Sequence, residues 1–273
     1  MKYRPDVLKA LQEAELEILC TIDALCREEG IAYFLDGGTA LGAVRHNGFI
    51  PWDDDIDIGM LRPEYDRFIE RARIALPDAY ELVVPGETPG YAAMFAKVMK
   101  RHTAFYTQET IEAGFDQGIF VDIFPYDGIS PSARRARRQL SNGRLWQSIS
   151  YLYHARSVNV PHKGFLGRAE RLVCAAAHGL LRAVTDERRI ARSFARSIER
   201  DGDYDHFTAL AWPVAGGFPK ADLVPAGTAS FEGRPFPVPA NVEAYLTRMY
   251  GPSWTELPPP DQRKNHAPVV LKL

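Results

Sequence analysis

Apolar residues at Leu8, Leu11, Ala14, Ile18, Ile22 and Leu25 recur at helical spacing, and Gly30 follows. This predicts a helix over residues 6–29. Glu13, Glu15 and Glu17 are assigned to its solvated face. Residues 31–36 then read as a strand, 39–46 as a short helix and 55–60 as a second strand. A helix over 63–76 opens on Pro63, a favoured first-turn residue. Short β-like runs follow at 81–84, 92–99, 103–106 and 118–125. From Pro131 to about Arg200 the pattern turns helical. Within it, 165–184 is an apolar amphipathic helix interrupted by Arg168, Glu170, Arg171, His178 and Arg182. That helix either packs in a subdomain or presents a surface that rests on a membrane. Residues 229–238 read as a hairpin around Glu232-Gly233, and Asn241 caps a helix over 242–250 closed by Gly251. No internal repeat or long linker interrupts the order. The expected organisation is one α/β domain over 1–273 with a helical insertion at about 131–200.

Composition narrows the class. At 273 residues, with 46% hydrophobic and 25% charged positions, the chain is ordinary for a globular protein with a sizeable core. A net charge of −2 offers no bulk attraction to nucleic acid. Three scattered cysteines, Cys20, Cys26 and Cys174, make no disulfide framework and read as small buried side chains. The first residues lack the apolar core of a signal peptide, and no uncharged apolar run has the length of a membrane span. The expected location is the cytoplasm.

The candidate chemistry gathers between residues 36 and 60. Asp53-Asp54-Asp55-Ile56-Asp57 places four acids in five positions. Residues two apart on a strand share a face, so Asp55 and Asp57 project together while Ile56 and Ile58 point to the core. Two such carboxylates repel, and a shared hard divalent cation such as Mg²⁺ neutralises them. The spacing is not that of an EF-hand loop. Upstream, Gly37-Gly38-Thr39 lies between strand and helix, where backbone N–H groups can approach an anion. Asp53 and Asp54 precede the strand and either face solvent or cap a turn. Asp122, in the apolar run Gly118-Ile119-Phe120-Val121-Asp122-Ile123-Phe124-Pro125, is either a hydrogen-bonded core acid or a third carboxylate of the site. The second reading is preferred. Asp116 and Asp127 flank it in turn-like context. Lys97 either snorkels to an edge or points into the cleft at a donor phosphate. Arg45 either reaches the site or complements a helix dipole. Arg134, Arg135, Arg137 and Arg138 form a solvated face or meet an anionic surface.

The runs at 34–39 (Phe-Leu-Asp-Gly-Gly-Thr), 41–46 (Leu-Gly-Ala-Val-Arg-His) and 49–59 (Phe-Ile-Pro-Trp-Asp-Asp-Asp-Ile-Asp-Ile-Gly) closely resemble the LicD family. That family comprises bacterial phosphocholine transferases related to fukutin-type phosphoribitol transferases. The closing Asp261-Gln262-Arg263-Lys264-Asn265-His266 segment also resembles the family's C-terminal end. The resemblance spans nearly the whole chain and is weakest over 131–215. It implies a nucleotidyltransferase (polymerase-β-like) mixed sheet with flanking helices. It also implies transfer of phosphocholine, or a related phospho-alcohol, from a CDP-linked donor to a glycan hydroxyl, with release of CMP. On this resemblance Asp55, Asp57 and Asp122 hold Mg²⁺, with Mn²⁺ as the alternative. Gly37, Gly38 and Thr39, with Arg45 and Lys97, bind the donor phosphates. The expected partners are that donor and a glycan or lipid-linked glycan, with no nucleic acid and at most peripheral membrane contact. Rival readings are a true nucleotidyltransferase that releases pyrophosphate from a triphosphate, a phosphoribitol or phosphoglycerol transferase, and a non-catalytic binding protein.

Overall fold

The computed structural model describes residues 3–155, 164–198, 204–213 and 216–273. Helix α1 (Pro5–Glu29) opens with a proline and closes on Gly30, whose φ of 63° suits the left-handed C-cap that glycine takes without strain. Its buried stripe is Leu11, Glu15, Ile18, Leu19, Ile22, Leu25 and Cys26. Glu15 therefore does not lie on the solvated face that the sequence suggested. It occupies the i+4 position after Leu11 and stays buried, whereas Glu17 reaches out to Tyr80 and Lys100.

Strand β1 (Phe34–Leu35) is shorter than the expected 31–36. Asp36 caps α2 (Gly37–His46), so Gly37 and Gly38 form the first turn of the helix itself. Strand β2 (Asp57–Leu61) begins at Asp57, and Asp55 sits in the extended run just before it. Ile56 and Ile58 are fully buried, as the alternation requires. Then come α3 (Arg62–Ala75), β3 (Tyr80–Val83), β4 (Ala96–Lys100), β5 (Ala104–Tyr106) and the short α4 (Gln108–Ala113). Strand β6 (Ile119–Gly128) is buried along its whole length and runs past Pro125.

The expected helical region contains α5 (Ala133–His154), α6 (Gly164–Val184) and α7 (Glu187–Ser197). Helix α6 meets α5 through His178 Nδ1 and the Leu152 carbonyl oxygen, 2.9 Å apart, and through Arg182 over the Tyr153 ring. It leaves Leu166, Leu172, Val173, Leu180 and Val184 exposed. The four arginines at 134, 135, 137 and 138 are exposed at the start of α5. After these helices come β7 (His206–Thr208), β8 (Phe218–Pro219), α8 (Lys220–Leu223), the hairpin β9 (Gly227–Phe231) and β10 (Arg234–Val238), and α9 (Val242–Tyr250). A 3₁₀ turn at Pro260–Gln262 precedes β11 (Val270–Lys272).

The main sheet is mixed, in the order β1-β2-β6-β4-β3, with β7 and β8 added beyond β6. Its parallel pair is β2 and β6, which puts Asp57 opposite Asp122. On the other side of β6, antiparallel β4 puts Lys97 opposite the same Asp122. Neighbours in register share a sheet face, so two acids and one lysine stand in a row. Helix α1 packs against β6 and β4, and α3 packs against β2 and β6. The tail is not loose: β11 pairs with β5, matching Leu271 to Phe105. No helix among the described residues is long and apolar enough to cross a membrane.

Candidate active site

The glycine turn is built around a buried acid. The Asp36 carboxylate accepts hydrogen bonds from the Gly37 N–H (2.8 Å), the Tyr126 hydroxyl (2.8 Å) and the Tyr245 hydroxyl. The Gly37 N–H is shared with the Tyr245 oxygen at 2.9 Å. Burial pushes the Asp36 carboxyl up, and the two tyrosine hydroxyls and the Gly37 N–H pull it back only in part. Two expectations change here. The Gly37 N–H is already committed to Asp36 and Tyr245 and does not offer itself to a phosphate. Gly37 is required for another reason: at φ +50°, a β-carbon there would be strained and would press on Asp57 Oδ2 at 3.3 Å. At Gly38 a β-carbon would lie 3.0 Å from Asp53 Oδ2, so the Asp53 carboxylate already leans on the turn. The Gly38 and Thr39 N–H groups occupy the first helical turn, where the helix leaves donors without internal acceptors. The Thr39 hydroxyl accepts the Asp57 N–H at 2.8 Å and so stitches α2 to β2.

Lys97 neither snorkels to an edge nor projects alone into a cleft. It is 7% exposed, ion-pairs with Asp122 and lies 3.5 Å from the centroid of the Phe120 ring. Burial raises the Asp122 carboxyl, and Lys97 counters part of that rise. Arg45 turns towards the C-terminal segment: its Nη1 donates to the carbonyl oxygens of Trp254 (2.8 Å) and Glu256 (3.1 Å). The two flanking acids are occupied elsewhere. Asp127 makes a two-pronged pair with Arg62 at 2.7 and 2.9 Å, and Asp116 accepts from the Tyr106 hydroxyl.

Asp54 neither faces solvent nor caps a local turn. It is fully buried and accepts from the Tyr3 hydroxyl (2.7 Å), the His266 N–H (2.9 and 3.0 Å to its two oxygens) and the Ala267 N–H (2.9 Å). His266 Nδ1 stands 3.1 Å from Asp54 Oδ1 and 3.5 Å from Asp55 Oδ2. Burial alone would push the Asp54 carboxyl up, but the bonds from His266 and Tyr3 outweigh it and hold it below its usual range. The bond to Asp54 lifts the His266 imidazole to about 9 despite burial, with Asp55, Asp54 and Asp122 adding to the rise.

The remaining acids show the opposite behaviour. Burial raises Asp55 to about 6, moderated by His266. Asp53 goes to about 8, through burial and then the charges of Asp55 and Asp54. Asp57 is pushed well above its ordinary value by burial, Asp55 and Asp122. Glu15 rises too, through burial and then Asp55, Asp54, Asp53 and Asp122. The hydroxyl of Tyr250 on α9 is raised by burial and by Asp57, Asp36, Asp53 and Asp55. Among the described residues, Lys97 and His266 offset only part of this rise at Asp55 and Asp122.

By donor type Asp55, Asp57 and Asp122 could hold a hard divalent cation: each offers carboxylate oxygen, and each is destabilised in its charged form. Among the described residues, Asp54, Asp55 and His266 form a trio whose ligand atoms lie within 4.8 Å of one another. Asp54 is already saturated with donors, which leaves Asp55 as the member with oxygen to give.

With this geometry in view, the comparisons are specific. The chain is 30% identical over 268 residues, covering 95% of both proteins, to the lipopolysaccharide cholinephosphotransferase LicD of Haemophilus influenzae. The family model "LicD/FKTN/FKRP, nucleotidyltransferase domain" matches residues 30–163. The chain belongs to the LicD family. A shorter likeness, 41% identity over 56 residues, joins the chain to the human ribitol 5-phosphate transferase FKRP and covers 20% of this chain and 10% of that protein. The uncharacterized protein RP689 of Rickettsia prowazekii is 43% identical over 63 residues, 23% of each chain.

For this LicD-family chain, sequence reasoning left several of the residues around the site without a role. Asp36, Tyr126 and Tyr245 carry no local signal of their partnership, because Tyr245 lies 209 positions from the acid it meets. His266 and Asp54 are 212 positions apart. Glu15 did carry a signal: an acid at the fourth position after Leu11 and the third before Ile18, within an apolar stripe.

Proposed function

We propose that this LicD-family chain transfers phosphocholine, or a related phospho-alcohol, from a CDP-linked donor to a hydroxyl of a cell-surface glycan, releasing CMP. The observation that carries this reading is the end-to-end likeness to a lipopolysaccharide cholinephosphotransferase. The carboxylate cluster supports it, since Asp55, Asp57 and Asp122 are suited to holding Mg²⁺ or Mn²⁺. A divalent cation held there would offset the charge of the donor's pyrophosphate and of the departing CMP.

The chain's own residues then have distinct tasks. Asp57 and Asp122 present oxygen from adjacent strands at one level of the sheet. Lys97 holds Asp122 in place and supplies positive charge beside it. Asp36, Tyr126 and Tyr245 hold the α2 turn so that Gly38 and Thr39 can offer N–H groups to phosphate oxygen once Asp53 turns aside. Asp122 or its neighbours accept the proton of the attacking hydroxyl.

A phosphoribitol transfer is the second reading, supported by the 56-residue likeness to FKRP. The test is product analysis with purified protein, Mg²⁺ and mixed hexose and N-acetylhexosamine acceptors. CDP-choline, CDP-ribitol, CDP-glycerol and CTP are supplied separately, with EDTA controls. CMP release and acceptor mass gain from one CDP donor, abolished by EDTA, are expected. Pyrophosphate from CTP with no CMP from any CDP donor would replace the reading with nucleotidyl transfer.

Peripheral membrane contact by a lipid-linked acceptor complex belongs to the same proposal. The exposed Leu166, Leu172, Val173, Leu180 and Val184 of α6 are accompanied by exposed Arg168, Arg171 and Arg182, the composition of a helix that lies on an anionic surface. Co-sedimentation with anionic vesicles, lost when Leu172 and Leu180 both become Asp, is the expected outcome. Equal sedimentation of that variant would remove membrane contact from the reading.

A further inference from the structure

Helix α9 packs on α2 and brings two tyrosine hydroxyls to the glycine turn. Tyr245 is fully buried, and its hydroxyl is spent on the Asp36 carboxylate and, at 2.9 Å, the Gly37 N–H. Tyr250, the last residue of α9, meets the turn differently. Its Oη lies 3.8 Å from the place that a β-carbon of Gly37 would occupy, and Asp57 Oδ2 lies 3.3 Å from the same place. The space that Gly37 leaves open is therefore bordered by a tyrosine hydroxyl and by one of the acids suited to holding a cation.

The chain on both sides of Tyr250 is held. Asn241 caps the start of α9, and Arg45, in the last turn of α2, ties the segment just beyond α9 through the carbonyl oxygens of Trp254 and Glu256. The hydroxyl so placed makes no hydrogen bond among the described residues, although Asp57 borders the same space. A phenol carries a proton to donate near neutral pH. Burial, followed by the charges of Asp57, Asp36, Asp53 and Asp55, holds that proton on more firmly. The residue is 43% exposed, yet its hydroxyl is turned inward, the reverse of a surface tyrosine whose hydroxyl takes water. Beside it, the Gly38 and Thr39 N–H groups in the first turn of α2 are donors without acceptors inside the helix. A phenol and two backbone N–H groups around one glycine form a donor set suited to the oxygens of an anion.

We propose that the Tyr250 hydroxyl donates a hydrogen bond to a phosphate oxygen of the CDP-linked donor at the α2 turn. This rests on the CDP-donor reading proposed for the chain. Tyr250 lies outside the residues 30–163 that the family model covers, so α9 adds a substrate contact from beyond the matched domain. Helix α9 then has two tasks: Tyr245 holds the turn, and Tyr250 contacts what binds there. Because every CDP-linked alcohol carries the same pyrophosphate, the contact serves affinity for the donor and not choice among donors.

The test uses the full chain with Mg²⁺ and no acceptor. Binding of CDP-choline, CDP-ribitol, CDP-glycerol and cytidine is measured by calorimetry for wild type and for Tyr250→Phe, which removes only the hydroxyl. Melting temperature without ligand is followed alongside. The expected result is at least about fivefold weaker binding of whichever CDP donor the wild type takes, the scale of one hydrogen bond to a charged group, at an unchanged melting temperature. Donor affinity within about fivefold of wild type would overturn the inference while leaving the donor reading in place. Cytidine binding weakened by the same factor would also overturn it, since the contact would then be to the nucleoside. A lowered melting temperature would assign the hydroxyl to the fold, with the same consequence. Absence of binding of all three CDP donors by the wild-type chain would instead overturn the donor reading, and the inference with it. Tyr250→Leu is read in the same way should Tyr250→Phe not fold. Failure of both variants to fold would overturn the inference, because the side chain would then be a requirement of the core.

Discussion

Asp57 and Asp122 stand opposite one another on the parallel strands β2 and β6, and Lys97 faces the same Asp122 from β4. The two acids meet by strand register, and their side chains gain nothing from the proximity except a charge to share. Asp57→Asn is expected to lower phospho-transfer by roughly 100-fold or more, the scale of losing one preorganised electrostatic contact in a transition state. It is also expected to leave the metal-free fold intact or slightly more stable, since a repelling carboxyl is removed. Turnover by CMP release, read beside a thermal melt, checks both. Retained turnover would take Asp57 out of the mechanism.

Asp54 should act on stability first. Its carboxylate holds Tyr3 near the start of the chain and His266 and Ala267 near its end. Although the sequence suggested a lesser role for this acid, Asp54→Ala is expected to cost on the order of 3 kcal/mol, because several hydrogen bonds to a charged group go together. A urea titration measures the loss. Hydrogen exchange should localise it to residues 266–272, including β11.

Stability without metal should depend on pH in a characteristic way. Asp55 and Asp53 are raised to about 6 and about 8 from 3.8, and His266 to about 9 from 6.5. Each binds its proton more tightly when folded. Their contribution is therefore present below the unfolded values and lost as pH rises through the folded ones. Asp54, held low, acts in the opposite sense: its contribution is lost as pH falls below about 4. Melting temperature in EDTA should peak in mildly acidic solution and fall between about pH 5 and 9. Saturating Mg²⁺ should flatten that fall, and a profile unchanged by Mg²⁺ would argue against a cation among these acids.

The Arg62–Asp127 pair provides a control away from the chemistry. Both side chains are largely buried, at 14% and 2% exposure. Asp127→Ala should destabilise by about 3 kcal/mol, because it leaves the buried guanidinium with only the half-exposed Asp66 carboxylate, 3.6 Å away, as counter-charge. Once folded at low temperature, the variant should retain its turnover per active site.

Much of the architecture could be read locally. Periodicity located α1, α3 and α9, the capping Asn241 and the hairpin at Glu232-Gly233, because each depends on residues within one or two turns. The 31–36 strand shrank to Phe34–Leu35 because only those two residues find partners on β2, at Gly59 and Ile58. Glu15 departs from the solvated face its charge suggests because position outweighs charge: the stripe set by Leu11 and Ile18 carries it inward.

By itself, the sequence determined the alternation that buries Ile56 and Ile58 on either side of Asp57, the helix that carries the glycine pair, and the family resemblance. Tertiary structure alone decided which acids are neighbours and what each one meets. Register joined Asp122 to Asp57 and Lys97, α9 brought Tyr245 to Asp36, and the tail delivered His266 to Asp54. The physical reason is that ionisation and hydrogen bonding depend on burial and on distances of a few ångströms. Those distances are set by packing between residues tens to hundreds of positions apart, which no local pattern records.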